Sequence, residues 1–158
     1  MIVPWVILLK EAHSLTLKDH LDRWGMKACP IDTGLKLLGQ RYALHIMRNM
    51  ILLKQNRFNQ FLHSIEGINT KTLSKRLHEL EHNGLIKREV IPGKPAYTEY
   101  SLTKKGRDVE KILWDVGEFS IMYEPNVVFR DRKARTGDEM KDAFGTERLS
   151  EIYDLNEV

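Results

Sequence analysis

The chain contains one cysteine, Cys29, in 158 residues, so no intrachain disulfide framework can form, and this usage fits a reducing cytoplasm. It also lacks any apolar run long enough to span a bilayer. Residues 2–9 are apolar, but no positive charge precedes them, Lys10 and Glu11 end them, and no small-residue cleavage site follows. They read as a packing segment rather than a secretion signal. Internal repeats and low-complexity tracts are absent. So are a glycine-rich phosphate loop, a nucleophile elbow and a paired-carboxylate arrangement. His13, His20, His45 and His63 show no metal-ligand spacing with one another. These absences exclude a disulfide scaffold and a membrane-spanning protein, and they leave no cofactor and no metal expected.

What is present is ordinary globular composition, 42% hydrophobic and 30% charged, at a length that suits one domain with a real core. The net charge of +3 is unevenly spread. Residues 29–123 carry +5, from 15 basic against 10 acidic side chains, whereas residues 124–158 carry −3, from 6 against 9. A basic middle block suits a polyanionic partner.

The apolar periodicity divides that block into short elements. Pro30 suits a first helical turn, and Ile31, Leu35 and Leu38 recur at helical spacing until Gly39. Residues 42–53 form a second apolar helix pattern. Phe58, Phe61, Leu62 and Ile65 fit the i, i+3, i+4, i+7 template, closed by Glu66 and Gly67. Asn69 is an N-cap for a helix over 69–83 with Leu73, Leu77 and Leu80 in one stripe and Gly84 as its stop. From Ile86 the period shifts toward two, residues 92–95 form a Pro-Gly-Lys-Pro loop, and residues 97–102 return as a strand. Thr103 then caps a long helix with Val109, Ile112, Leu113, Val116 and Phe119, which ends near Tyr123 before Glu124 and Pro125. Residues 124–158 are polar, with a solvated charge run at 130–135. One or two short helices through Met140, Phe144, Leu149, Ile152 and Tyr153 are expected to dock on the body.

On a helical wheel the 69–83 segment separates its leucines from its polar side chains. Lys71, Ser74, Lys75, His78 and His82 fall opposite the stripe, with Thr70 at the edge. Lysine neutralises phosphate or donates to guanine, serine and threonine bond either, and a helix of this width fits the major groove. Any surface helix must wet its outer face, so the face alone is weak evidence. A preceding short helix and a following basic hairpin strengthen it. The hairpin adds Lys87, Arg88 and Lys94, expected near one tip. Arg57, Asn59 and Gln60 open the preceding helix, where free backbone amides also attract phosphate.

Two features point elsewhere. His78-Glu79-Leu80-Glu81-His82 matches H-E-x-x-H, in which two histidines bind zinc and the glutamate is the base. The extended pattern requires Gly at position 85 and His at position 88, where Leu85 and Arg88 stand, and both histidines point toward solvent. The motif is read as coincidence on a groove-facing helix. Cys29 precedes Pro30 at a helix start, where the dipole favours thiolate, so it is a candidate redox sensor. The competing reading is a small buried hydrophobe.

The residues Cys29-Pro30-Ile31, Leu38-Gly39, Arg57-Phe58-Asn59-Gln60, Gly67-Ile68, 77–85 (LHELEHNGL) and 100–106 (YSLTKKG) resemble the HxlR-type winged helix-turn-helix regulators, relatives of the MarR group. The resemblance covers about residues 26–120. It implies a homodimeric, sequence-specific transcriptional regulator of bacterial or archaeal type, not an enzyme, whose partner is double-stranded DNA. The fold it implies is mainly α with a small β-hairpin, a winged helix-turn-helix dimerising through terminal helices. Some such proteins use a cysteine at the position of Cys29 to sense electrophiles or oxidants. Gln40-Arg41-Tyr42 departs from the lysine–tryptophan pair that many carry, which bears on packing around an effector pocket.

The organisation expected is an N-terminal extension over 1–25, helical and dimer-contacting, a winged-helix domain over 26–123, and a polar tail over 124–158. The DNA-facing residues expected are Arg57, Asn59, Gln60, Thr70, Lys71, Ser74, Lys75, His78, Arg88 and Lys94, on a pseudo-palindromic operator. The controlling signal is left open between redox chemistry at Cys29 and a small effector. The rival reading is a winged-helix module whose same face binds a protein.

Overall fold

The computed structural model describes residues 16–144, which fall in two compact units divided after Gln40. In the first unit, α1 (Leu17–Arg23) starts at a capping box: Thr16 N donates to Asp19 Oδ2 at 2.7 Å and Asp19 N to Thr16 Oγ1 at 3.3 Å. The Thr16 hydroxyl, which donates to Asp19 Oδ2 at 2.6 Å, and then the Thr16 amide hold the Asp19 carboxyl below its ordinary range. The expected helical extension is thus helical over 17–23, and residues 1–15 lie outside the described residues. The next helix, α2 (Pro30–Leu38), begins with Pro30 in the first turn, and the Cys29 carbonyl accepts from Thr33 N at 3.0 Å and Thr33 Oγ1 at 2.9 Å. Ile31 and Leu35, the expected packing stripe, are largely exposed.

The second unit opens on Tyr42, which takes a left-handed conformation (φ 71°) and donates its hydroxyl to the Gly67 carbonyl at 2.8 Å. Behind it α3 (Ala43–Leu52) buries Ile46, Met47, Met50 and Ile51 together with one polar side chain, Asn49. A buried amide must be satisfied. Asn49 Nδ2 donates to Ser64 Oγ at 2.7 Å and Gln55 Oε1 at 3.1 Å, while its Oδ1 accepts from Arg48. Ser64 is the last residue of α4 (Phe58–Ser64), whose Phe61 is fully buried. The turn through Gly67 (φ +72°) leads to α5 (Thr70–His82). Asn69 caps this helix by accepting from Thr72 N at 2.8 Å. Its stripe of Leu73, Leu77 and Leu80 is buried, and it stops at Gly84 (φ +70°), where Leu85 N bonds the Leu80 carbonyl at 2.9 Å.

The hairpin is β1 (Ile86–Ile91) against β2 (Tyr97–Leu102), antiparallel, from Ile86 opposite Leu102 to Ile91 opposite Tyr97. A bond from Tyr100 N to the Asn56 carbonyl (2.8 Å) attaches the residues before α4 to β2. Thr103 caps α6 (Lys104–Arg107), accepting from Gly106 N at 3.0 Å and donating to the Gly84 carbonyl at 2.7 Å. Gly106 passes so close to β1 that a Cβ there would lie 2.0 Å from the Leu85 carbonyl oxygen, so only glycine fits. The single long helix expected from Thr103 is interrupted at Asp108, and the long part is α7 (Val109–Tyr123).

Proline at 125 ends α7 as expected but also opens a single turn, α8 (Pro125–Val128). The tail then docks through α9 (Gly137–Phe144), which packs along α7. Two glycines permit the approach: a Cβ at Gly117 would lie 2.9 Å from Met140 Cε, and one at Gly137 would lie 2.7 Å from Glu118 Cδ. The helix expected through Leu149, Ile152 and Tyr153 lies outside the described residues. Among the described residues no helix is long and apolar enough to cross a membrane.

Candidate nucleic-acid interface

The caps and leucines of α5 decide which side of it meets solvent. With Leu73, Leu77 and Leu80 buried, Thr70, Lys71, Ser74, Lys75, His78 and His82 are all exposed. Of the ten expected DNA-facing residues, five therefore share one face of one helix: Thr70, Lys71, Ser74, Lys75 and His78. Lys75 Nζ lies 3.9 Å from Glu79 Oε1, a loose surface pair that leaves the ammonium available to another anion.

Arg76, which the sequence reading did not single out, recurs three residues after Leu73 and four before Leu80, and it follows them inward. Its residue is 9% exposed, Nη1 pairs with Glu79, and Nε is buried without a partner. The H-E-x-x-H residues are arranged accordingly. His78 and His82 stack at the surface with ring centroids 6.5 Å apart, while Glu79 is engaged by Arg76 and faced by Lys75 rather than held as a free base. Among the described residues no group of three His, Cys, Asp or Glu side chains converges to hold a metal.

The residues opening α4 have other partners. Gln60 Oε1 accepts from Asn56 N and from Arg57 N, both at 2.9 Å, so its side-chain oxygen is engaged by the two amides that precede α4. Arg57 reaches across to the hairpin: its guanidinium carbon sits 4.0 Å from the Tyr97 ring centroid, and Nη2 is 3.3 Å from Glu99 Oε1. Arg57 holds the start of α4 to β2, a role the sequence could not show because it depends on a contact between residues 42 apart, while Gln60 fixes the local turn before the helix. Asn59 is exposed, and its carbonyl lies 2.6 Å from His63 Nδ1.

The register corrects the hairpin. Lys87 pairs with Ser101, one step from the base at Ile86 and Leu102, and Arg88 pairs with Tyr100 in mid-strand. The strands have the expected bounds, but Lys87 and Arg88 stand at the start of β1, far from the loop, so the expected grouping of Lys87, Arg88 and Lys94 near one tip does not hold. Six paired positions place only Lys94, within the loop at 92–96, at the tip. Lys87, Arg88 and Lys94 are all exposed. Cys29, partly exposed at the N-cap of α2, belongs to the other unit.

This order of elements has counterparts. The family model described as HxlR-like helix-turn-helix matches residues 37–127. An HTH-type transcriptional regulator of Synechocystis sp. is 39% identical over 85 residues, covering 54% of this chain and 62% of that protein. Among solved structures, a transcriptional regulator of the MarR family from Porphyromonas gingivalis W83 matches with a TM-score of 0.57 at 28% identity, covering 61% of this chain and 94% of that one. The redox regulator HypR in its oxidized form matches with a TM-score of 0.54 at 33% identity, covering 58% of this chain and 94% of that one. The fold is the winged helix of these regulators, with α4 and α5 as the helix-turn-helix and β1–β2 as the wing. The chain belongs to the HxlR-like helix-turn-helix family, a family of transcriptional regulators and not of enzymes.

Proposed function

We propose that the protein is a sequence-specific DNA-binding regulator that acts as a homodimer on a pseudo-palindromic operator. The observation that carries this reading is the exposed Thr70, Lys71, Ser74, Lys75 and His78 face on a helix whose other face is pinned by buried leucines. In this reading α5 enters the major groove with Thr70, Ser74 and His78 toward base edges, and the lysines neutralise phosphate. Arg88 and Lys94 on the wing, with Asn59, meet the flanking backbone. Arg57 contributes by holding the wing to α4, Gln60 by fixing the turn before α4, and their remaining donors face the phosphate backbone in this reading. The working division is a DNA-binding domain over 26–123 with appended segments over 1–25 and 124–158. A regulator of bacterial or archaeal type that acts on DNA would work in the cytoplasm.

A second copy is supported by α7, on which Ile112, Val116, Phe119, Met122 and Tyr123 are between 41% and 64% exposed, a stripe that water alone covers poorly. The test is operator selection from random duplexes. Two inverted half-sites about 10–10.5 base pairs apart, or a multiple of that, are expected for a two-fold dimer. A single asymmetric site would contradict the dimer, and no enrichment would favour a protein partner for the same face.

A specific observation supports redox control. Cys29 is partly exposed at a helix start, and HypR, similar in fold and sequence, is a redox regulator. In this reading an oxidant or electrophile that modifies the thiol changes operator affinity by about tenfold or more, on the order of 1.4 kcal/mol. Operator binding with and without diamide checks it. Cys29→Ser should bind as the untreated protein does and ignore diamide, whereas an equal response in both proteins excludes Cys29 as the sensor.

A further inference from the structure

Arg76 is a poor residue for its position if packing alone decides. It stands three residues after Leu73 and four before Leu80, 9% exposed, with Nε buried and without a partner. A buried donor left unbonded costs stability, and replacing a buried ion pair by apolar side chains of similar volume is often neutral or stabilising. Packing therefore favours an apolar side chain there and does not explain the guanidinium.

The bonded partner of Arg76 does explain it. Arg76 Nη1 donates to Glu79 Oε2, while the other carboxylate oxygen, Oε1, faces Lys75 Nζ at 3.9 Å, beyond hydrogen-bond reach. At about 100° per residue, Glu79 stands about 40° around the axis from Lys75, and Arg76 about 60° farther toward the leucines. Glu79 is thus at the rim of the lysine-bearing face, with its side chain 37% exposed beside the open Lys75. Without Arg76, this carboxylate has Lys75 one turn back, in the i,i+4 relation at which opposite charges pair on a helix. Such a pair occupies the ammonium and leaves the rim of α5 without its positive charge where phosphates approach.

We propose that Arg76 is a positioning residue for DNA binding: it holds Glu79 to the inner side of α5 and thereby keeps Lys75 available to phosphate. The proposal rests on the DNA-binding reading above and adds to it a residue that itself touches no DNA.

Arg76→Met, Glu79→Gln and the two together test it, each titrated with the selected operator across a salt range and unfolded in urea. Arg76→Met should bind the operator about tenfold more weakly near 0.1 M salt and lower the slope of log affinity against log salt by about 1 to 2, one phosphate contact being lost per chain. Its urea midpoint should equal the parent's or rise. Arg76→Gln, which also removes the charge, repeats the test if the methionine variant does not fold. Adding Glu79→Gln removes the carboxylate that captures Lys75, so the double variant should regain the parent slope and bind within about threefold of the parent. An unchanged slope in Arg76→Met with a lower urea midpoint marks a merely structural residue. A loss that Glu79→Gln does not repair marks a guanidinium that contacts phosphate itself. Either result overturns the proposal. Elution from immobilised heparin, a polyanion that requires no operator, should follow the same order, with Arg76→Met leaving at lower salt than the parent and the double variant. That order in a protein that selects no operator overturns the DNA reading and leaves the control of Lys75 by Arg76 standing. Elution of all three at one salt concentration overturns that control.

Discussion

Replacing Lys71 and Lys75 together with alanine is expected to weaken operator binding by about 100- to 1,000-fold near 0.1 M salt and to flatten its salt dependence. Both side chains are on the exposed face of α5, and in a dimer the change removes the same pair twice. Each phosphate neutralised contributes roughly 0.9 to the slope of log affinity against log salt, so up to four lost contacts reduce it by about 3 to 4. Lys75 has only a loose pair with Glu79 at 3.9 Å, so little stability is lost with it, and the effect belongs to binding. Fluorescence anisotropy across a salt titration measures both quantities. A variant that folds and keeps the parent slope would remove α5 from the phosphate contacts.

The second large effect concerns stability. Leu77→Ala should cost about 2–5 kcal/mol, because Leu77 is 2% exposed in the centre of the stripe that seats α5, and truncation leaves a cavity in a packed core. For a domain whose total stability is about 5–15 kcal/mol, that is a large share. Urea denaturation of the two proteins gives the difference, and a loss under about 1 kcal/mol would mean that the stripe does not hold the helix. The substitution lies on the side of α5 away from the lysines. At temperatures where the variant is folded, its salt slope should therefore equal that of the parent, which separates seating the helix from contacting DNA.

The parts of the fold that follow local rules were legible in the sequence. Asn69 before the Leu73–Leu77–Leu80 spacing, and Gly84 after it, mark α5 because a cap, a stripe and a left-handed stop are each local events. The alternation after Ile86 and the Pro-Gly-Lys-Pro loop mark the hairpin in the same way. What was missed depends on contacts between distant residues. Arg57 looked like a phosphate ligand because nothing near it in the chain shows that Tyr97 and Glu99 come beneath its guanidinium. Gln60 looked like a surface amide, yet it satisfies the two amides that precede α4.

Lys87 and Lys94 belong to one basic hairpin in the sequence, but Lys87 is the second residue of a six-residue strand and pairs with Ser101 near the base, so only Lys94 is at the tip. Arg76 has the i+3 and i+4 phase of the buried stripe, and its charge concealed that phase. Asn49 lay in a helix read only for its apolar positions, and its partners Gln55 and Ser64 are 6 and 15 residues away. The docking of the tail was expected, but the device that permits it, Gly117 against Met140, needed coordinates.

The measurement that bears most directly on the proposed function is the affinity of the unmodified protein for its selected operator against a scrambled duplex at the same salt. An operator-specific regulator should prefer the operator by about a thousandfold or more, with two chains on each duplex. Equal affinity for the two duplexes would contradict sequence-specific regulation through α5, whatever the strength of binding to either.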